Sequence, residues 1–92
     1  MGVFQLSDHV VCRQTSSDLR MLFDRQKGVM YELNETASAI VERLSGGPAS
    51  IEALTESLCG EFEGPEHEIR EDVENMLADF ADAGLVQEGS SA

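Results

Sequence analysis

Basic residues are scarce in this sequence: six Lys and Arg stand against eighteen Asp and Glu over 92 residues, a formal net charge of −12. A surface of that sign repels phosphate backbones and anionic lipid headgroups, which argues against nucleic acid and membranes as partners and favours a neutral or cationic peptide. Tryptophan is absent and aromatics make up only 5% of the chain, so the core must be built mainly from Leu, Ile, Val, Ala and Met. Long apolar runs are absent too. Met1-Gly2-Val3-Phe4-Gln5-Leu6 lacks the basic flank and apolar stretch of a secretory signal, and Leu6 stands where a myristoylation pattern wants Ser or Thr. A cytoplasmic protein is expected. Cys12 and Cys59 are far apart and have no CxxC-type neighbour, which reads as two free thiols in a reducing compartment.

Signals for catalysis are equally thin. Neither cysteine lies near a histidine in sequence, and nothing resembles a nucleophile elbow or a phosphate-binding loop. His9 and His67 with the two cysteines match no zinc spacing, and the carboxylates form no calcium loop. No enzyme activity, metal or cofactor is expected of a chain this short, which has room for one core and little for an internal cavity.

What is present is a change of period. Val10-Val11-Cys12, Leu19 to Phe23 and Val29 to Leu33 are short runs rich in β-branched, aromatic and aliphatic residues, and they read as three strands. Asp24 to Gly28 joins the last two, with Gly28 supplying the positive φ of a hairpin turn. From Asn34 the apolar spacing becomes helical. Ala37, Ile40, Val41 and Leu44 share one face, Asn34 is a candidate N-cap, and Gly46-Gly47-Pro48 stops the helix. Ser50 caps a second helix with Ile51, Leu54 and Leu58 on its apolar side. Pro65 opens a third, with Ile69, Val73, Met76, Leu77 and Phe80 on one side and Gly84 at its end. Leu85-Val86-Gln87 reads as a closing strand or packed tail, and Glu88 to Ala92 as frayed. The expected fold is α+β and winged helix-turn-helix-like: a three-stranded antiparallel sheet followed by three helices, in a single domain spanning residues 1–92 with its core at about 10–87. Folds of this outline commonly bind DNA through the third helix. Here residues 61–82 carry nine acidic residues against Arg70 alone, which no phosphate backbone would tolerate.

The order of motifs resembles the PqqD family, named for pyrroloquinoline quinone biosynthesis protein D. The resemblance rests on Leu22-Phe23-Asp24, the Arg25 to Gly28 turn, and Val29-Met30-Tyr31-Glu32-Leu33-Asn34-Glu35-Thr36-Ala37. It continues through Ile40 to Leu44, Ile51 to Leu54, and Asp72-Val73, Met76-Leu77, Phe80 and Gly84-Leu85-Val86. It implies a recognition element for ribosomally made, modified peptides, in which the leader of a precursor peptide adds as a strand to the free edge of the sheet, against the third helix. A stand-alone acidic member of this size resembles those that accompany lasso-peptide proteases, so the implied partners are a leader peptide and a processing enzyme such as a cysteine leader protease. Radical-SAM enzymes and cyclodehydratases are served by the family as well. Lasso-type relatives favour a Tyr-x-x-Pro leader motif, whose ring would seek a pocket for which Tyr31, Met76 and Phe80 are the leading candidates.

Physical reasoning places the peptide on the same residues. Strand addition needs a free edge and pockets for alternate side chains; Val29, Met30, Tyr31, Glu32 and Leu33 form the candidate edge, with Val29, Tyr31 and Leu33 on one face and Met30 and Glu32 on the other. On the third helix Ile69, Val73, Met76, Leu77 and Phe80 form the candidate wall. Asp72, in an acidic band with Glu68, Asn75, Asp79 and Asp82, would meet Lys or Arg of the leader. The same features also suit an internal strand, plain core packing and a solvated helix face. Two other functions fit a small acidic chain: an acyl or peptidyl carrier, for which Glu56-Ser57-Leu58 is the nearest motif, and a structural winged-helix interaction module.

Overall fold

A computed structural model describes residues 2–90. Its elements are β1 (Gly2–Leu6), β2 (Val10–Gln14), β3 (Arg20–Asp24), β4 (Val29–Glu32), α1 (Glu35–Ser45), α2 (Ile51–Cys59), α3 (Glu66–Asp82) and β5 (Val86–Ser90). The expected three-stranded antiparallel sheet is β2-β3-β4, and three helices follow it. Its register opposes Cys12, Leu22 and Tyr31, so these side chains share the face turned to the helices. Leu22 is fully buried there, and Val10, Cys12, Tyr31 and Leu33 are partly buried against the same core.

Capping fixes where the helices begin. The Asn34 side chain accepts from the Ala37 amide at 2.8 Å and Ser50 Oγ from the Ala53 amide at 3.1 Å, each satisfying one orphan donor of a first turn. Pro65 precedes α3 with φ −64° and makes no side-chain cap; Glu66 and Glu68 place negative charge near that N-terminus instead. Ala37, Ile40, Val41 and Leu44 of α1, Leu54 and Leu58 of α2, and Ile69, Val73, Leu77 and Phe80 of α3 converge with Leu22, Ala49, Leu85 and Val86 in one core. The buried Ser38 hydroxyl accepts from the Arg20 amide at 2.9 Å, which fastens the start of β3 to α1.

The two ends of the chain depart from the sequence reading. Residues 2–6 lie outside the expected core yet form β1, which pairs antiparallel with β5 from Gly2↔Ser90 to Leu6↔Val86. Glu88–Ser90 are therefore paired strand and not frayed, while Ser91 and Ala92 fall outside the described residues. Two further ties hold this second sheet. Phe4 and Ala49 exchange backbone hydrogen bonds of 2.8 and 3.0 Å, and Ser7 reaches the end of α3 through its amide to Leu85 O and its hydroxyl to Gly84 O, both at 2.9 Å. Gly84, at φ +78°, makes the turn from α3 into β5.

Candidate functional site

β4 is an edge strand, with β3 on one side and, among the described residues, no strand on the other. The Leu33 amide donates to Arg20 O at 3.3 Å. In an antiparallel ladder alternate residues turn their backbone groups towards the partner strand, so Tyr31 and Val29 also point theirs at β3. The amides and carbonyls of Met30 and Glu32 therefore point away from it. Met30, at 59% exposure, and Val29, at 41%, are the exposed large hydrophobic residues among those described. Tyr31 and Leu33 pack on the core and Glu32 is exposed, in keeping with the expected alternation.

α3 comes near this edge strand at its two ends. At one end the Lys27 ammonium, at the tip of the β3–β4 turn, donates to Ala83 O at 3.1 Å. The last turn of α3 contains no basic residue of its own, so Lys27 supplies from another element the cation that a helix C-terminus favours. At the other end Thr36, just past β4, lines a hollow of about 170 Å³ with Ile69 and Asp72 of α3 and with Leu58, Phe62 and Glu63. β4 thus runs opposite to α3, and the strip between these two points is about as long as five extended residues, about 17 Å.

The α3 candidates divide by depth. Val73 and Leu77 are 0% and 1% exposed and belong to the core, with Ile69 and Phe80 nearly as deep. Met76 is half-buried and Asp72 exposed. Arg70 pairs with Glu52 of α2 at 3.3 Å, which fixes the flank of α3 that faces α2. At 100° per residue Asp72 lies roughly 160° around the helix from Arg70, with Met76 and Ala83 within about 40° of Asp72, and this opposite flank faces the β4 side. Of the trio Tyr31, Met76 and Phe80 expected from sequence, the first two are partly buried against the core and Phe80 is buried; the hollow near Thr36 is a separate feature of α3.

One determinant of the edge was not singled out as a functional residue. Asp24 is completely buried, and its Oδ1 accepts from the Gln26 and Lys27 amides at 2.9 and 3.0 Å. His9 Nε2 approaches its other carboxylate oxygen at 3.6 Å. The Lys27 amide is the main cause holding the Asp24 carboxyl below its ordinary value of 3.8; burial pushes the other way, and the Gln26 amide and the charges of His9 and Lys27 add to the lowering. The signal was available: an Asp at the first position of a tight turn whose fifth residue is Gly commonly caps that turn. Gly28 is at φ +69°.

The remaining sequence candidates are dispersed. Cys12 is in β2 and Cys59 at the end of α2, His67 is exposed in the first turn of α3, and Ser57 lies inside α2, away from a helix start. Among the described residues no three His, Cys, Asp or Glu side chains are arranged to hold a metal, and no helix is long and apolar enough to cross a membrane.

Residues 20–86 match the family model described as coenzyme PQQ synthesis protein D (PqqD). No curated protein sequence matches the chain. Among solved structures, TbiB1 in complex with the TbiA(beta) leader peptide superposes with a TM-score of 0.82 at 24% identity, over 90% of this chain and 94% of that one. A lasso peptide synthetase B1 complexed with the leader peptide superposes with a TM-score of 0.76 at 25% identity, over 91% of this chain and 96% of that one.

Proposed function

The chain belongs to the PqqD family, and we propose that it captures the leader of a ribosomally made precursor peptide as a fourth strand on β4 and presents it to a processing enzyme. The observation that carries this reading is the free edge of β4, whose Met30 and Glu32 backbone groups point outward beside α3. Backbone pairing supplies affinity, and the alternate side chains of the added strand read the protein on two sides. One set meets Tyr31, Leu33 and the α3 flank of Asp72 and Met76; the other continues the outer face at Met30 and Glu32. Ile69, Val73, Leu77 and Phe80, all buried, support this wall from beneath, with Ile69 and Phe80 the less deep. Nothing in this scheme asks the chain to make or break a bond, so its role is binding. The likeness to B1 proteins solved with leader peptides supports leader binding and lasso-peptide biosynthesis as the setting, and a leader protease is the enzyme we propose.

A proline scan of the two outer strands tests it. Proline is tolerated at an edge where the amide faces solvent, since no ladder bond is lost. Met30→Pro removes an outward donor of β4 while its pairing with β3 remains, whereas Gln14→Pro makes the same change on the outer edge of β2. Fluorescence anisotropy with the leader of the cognate precursor is expected to show about tenfold weaker binding for Met30→Pro, the cost of a lost hydrogen bond and a steric block. Binding by Gln14→Pro should be unchanged. Equal binding by the wild type and a folded Met30→Pro variant would rule out addition to β4.

A further inference from the structure

The hollow between Thr36 and α3 does not end there. Phe62 also lines a second hollow of about 330 Å³ along α1, together with Ala39, Asp18, Glu35, Glu42 and Glu61. A third, of about 280 Å³, shares Ala39, Glu42 and Glu61 and extends along α1 to Gly46. Phe62 and Leu58 each line two of the three, so the depressions form one trough that begins at the end of the β4–α3 strip. Thr36 to Gly46 spans ten helical steps, about 15 Å, which four or five extended residues cover.

Charge specifies what fits. Glu42 is paired with Arg20 at 3.7 Å, but among the described residues Asp18, Glu35 and Glu61 have no Lys or Arg within salt-bridge distance. Arg43 lines only the far hollow, beside Gly46, and sets the limit of the acidic stretch. A lining that combines Phe62 and Ala39 with several carboxylates suits long basic side chains, whose methylene stems can pack on the two apolar residues while their heads reach the acids. At the opposite end of the strip stands the Lys27 ammonium, so the two ends differ in sign.

We propose that this trough holds the flank of the leader that precedes its strand-forming segment, and that this flank is basic over about four or five residues. The inference rests on strand addition at β4. The upstream flank is the one concerned because an antiparallel strand, the slightly more stable arrangement, enters at the end of β4 nearest Thr36.

Two probes test it: the peptide acetyl-Lys-Lys-Lys-Lys-amide, and the TbiA(beta) leader peptide carrying four Lys or four Ser before its N-terminus or four Lys after its C-terminus. Amide NMR shifts from the tetralysine are expected to concentrate on residues 35–46 and 61–62. The N-terminal Lys extension should bind about three- to tenfold tighter than the Ser extension, as two or three exposed ion pairs contribute. That gain should vanish in a Glu35→Gln/Glu61→Gln variant and persist in Glu56→Gln/Glu71→Gln, which removes equal charge elsewhere. Shifts spread evenly over the acidic helices, equal binding of the Lys and Ser forms, or a gain only from the C-terminal extension would each overturn the trough assignment and leave strand addition standing. Failure of every leader form to bind would instead count against strand addition itself, and the trough assignment would fall with it.

Discussion

At the scale of single residues, Asp24 carries the most structural consequence. Its carboxylate organises the turn that leads into β4, with two amides on one oxygen and His9 beside the other, in a position with no solvent exposure. Because its folded pKa lies below 3.8, the charged form is favoured by folding, and the resulting stability is complete above that value. It is lost as the pH falls from 3.8 through the lower folded value. The melting temperature of the wild type should exceed that of Asp24→Asn at pH 6, and the gap should close on acidification below pH 3.8. A gap that stays constant in acid would show that the charge of Asp24 is not what holds the turn. Lys27 works from the same turn: its amide binds Asp24 and its ammonium binds the carbonyl of Ala83, the residue that caps α3. The turn residues were legible as a hairpin, because an Asp to Gly stretch between two apolar runs has few other uses. Their reach to α3 was not, since Lys27 and Ala83 are 56 residues apart and no local rule connects them.

At the scale of elements, the helices and the three-stranded sheet followed from periodicity and caps, whereas β1 did not. Gly2–Leu6 offers no turn signal of its own and becomes a strand only because β5 returns beside it after α3. That pairing covers Val86 and Leu85, and β1 meets the α1–α2 connection through Ala49. Phe4 and Leu6 pack on the core. Removing residues 1–6 should therefore cost about 3 kcal/mol or more, from two partly buried apolar side chains at roughly 1.5 kcal/mol each and the lost ladder bonds. Urea denaturation of the truncated chain measures this directly; unchanged stability would mean that the β1–β5 sheet is an ornament of the fold. The strip between β4 and α3 stands on the other sheet. A truncated protein that still folds is accordingly expected to keep its leader affinity.

At the scale of the molecule, charge is segregated. Residues 1–33 hold four acidic and four basic side chains, while residues 34–92 hold fourteen acidic and two basic. The net charge of −12 thus lies on the helical part, and the β2-β3-β4 sheet is close to neutral. Such crowding of like charge opposes folding and is relieved by salt. The melting temperature should rise by several degrees between low and moderately high NaCl, and a flat or falling curve would contradict a repulsive surface. The same surface keeps two copies from approaching through their helices, which leaves the neutral sheet and its free edge as the approachable side.

The sequence by itself determined the class of fold, the caps of α1 and α2, the alternation on β4 and the excess of negative charge that argues against nucleic acid, because each depends on local spacing or on a sum of charges. Only the tertiary structure decided which α3 residues reach the surface. A wheel drawn from sequence groups Val73 and Leu77 with Met76, but packing of α3 into the core, chiefly against α2, buries the first two and leaves Met76 at the margin with Asp72. It also decided that β4 is the edge strand and that Phe62 and Leu58 link the hollows along α1. Edges and hollows arise where elements distant in sequence fail to cover one another, and the pattern within any one element carries no record of that.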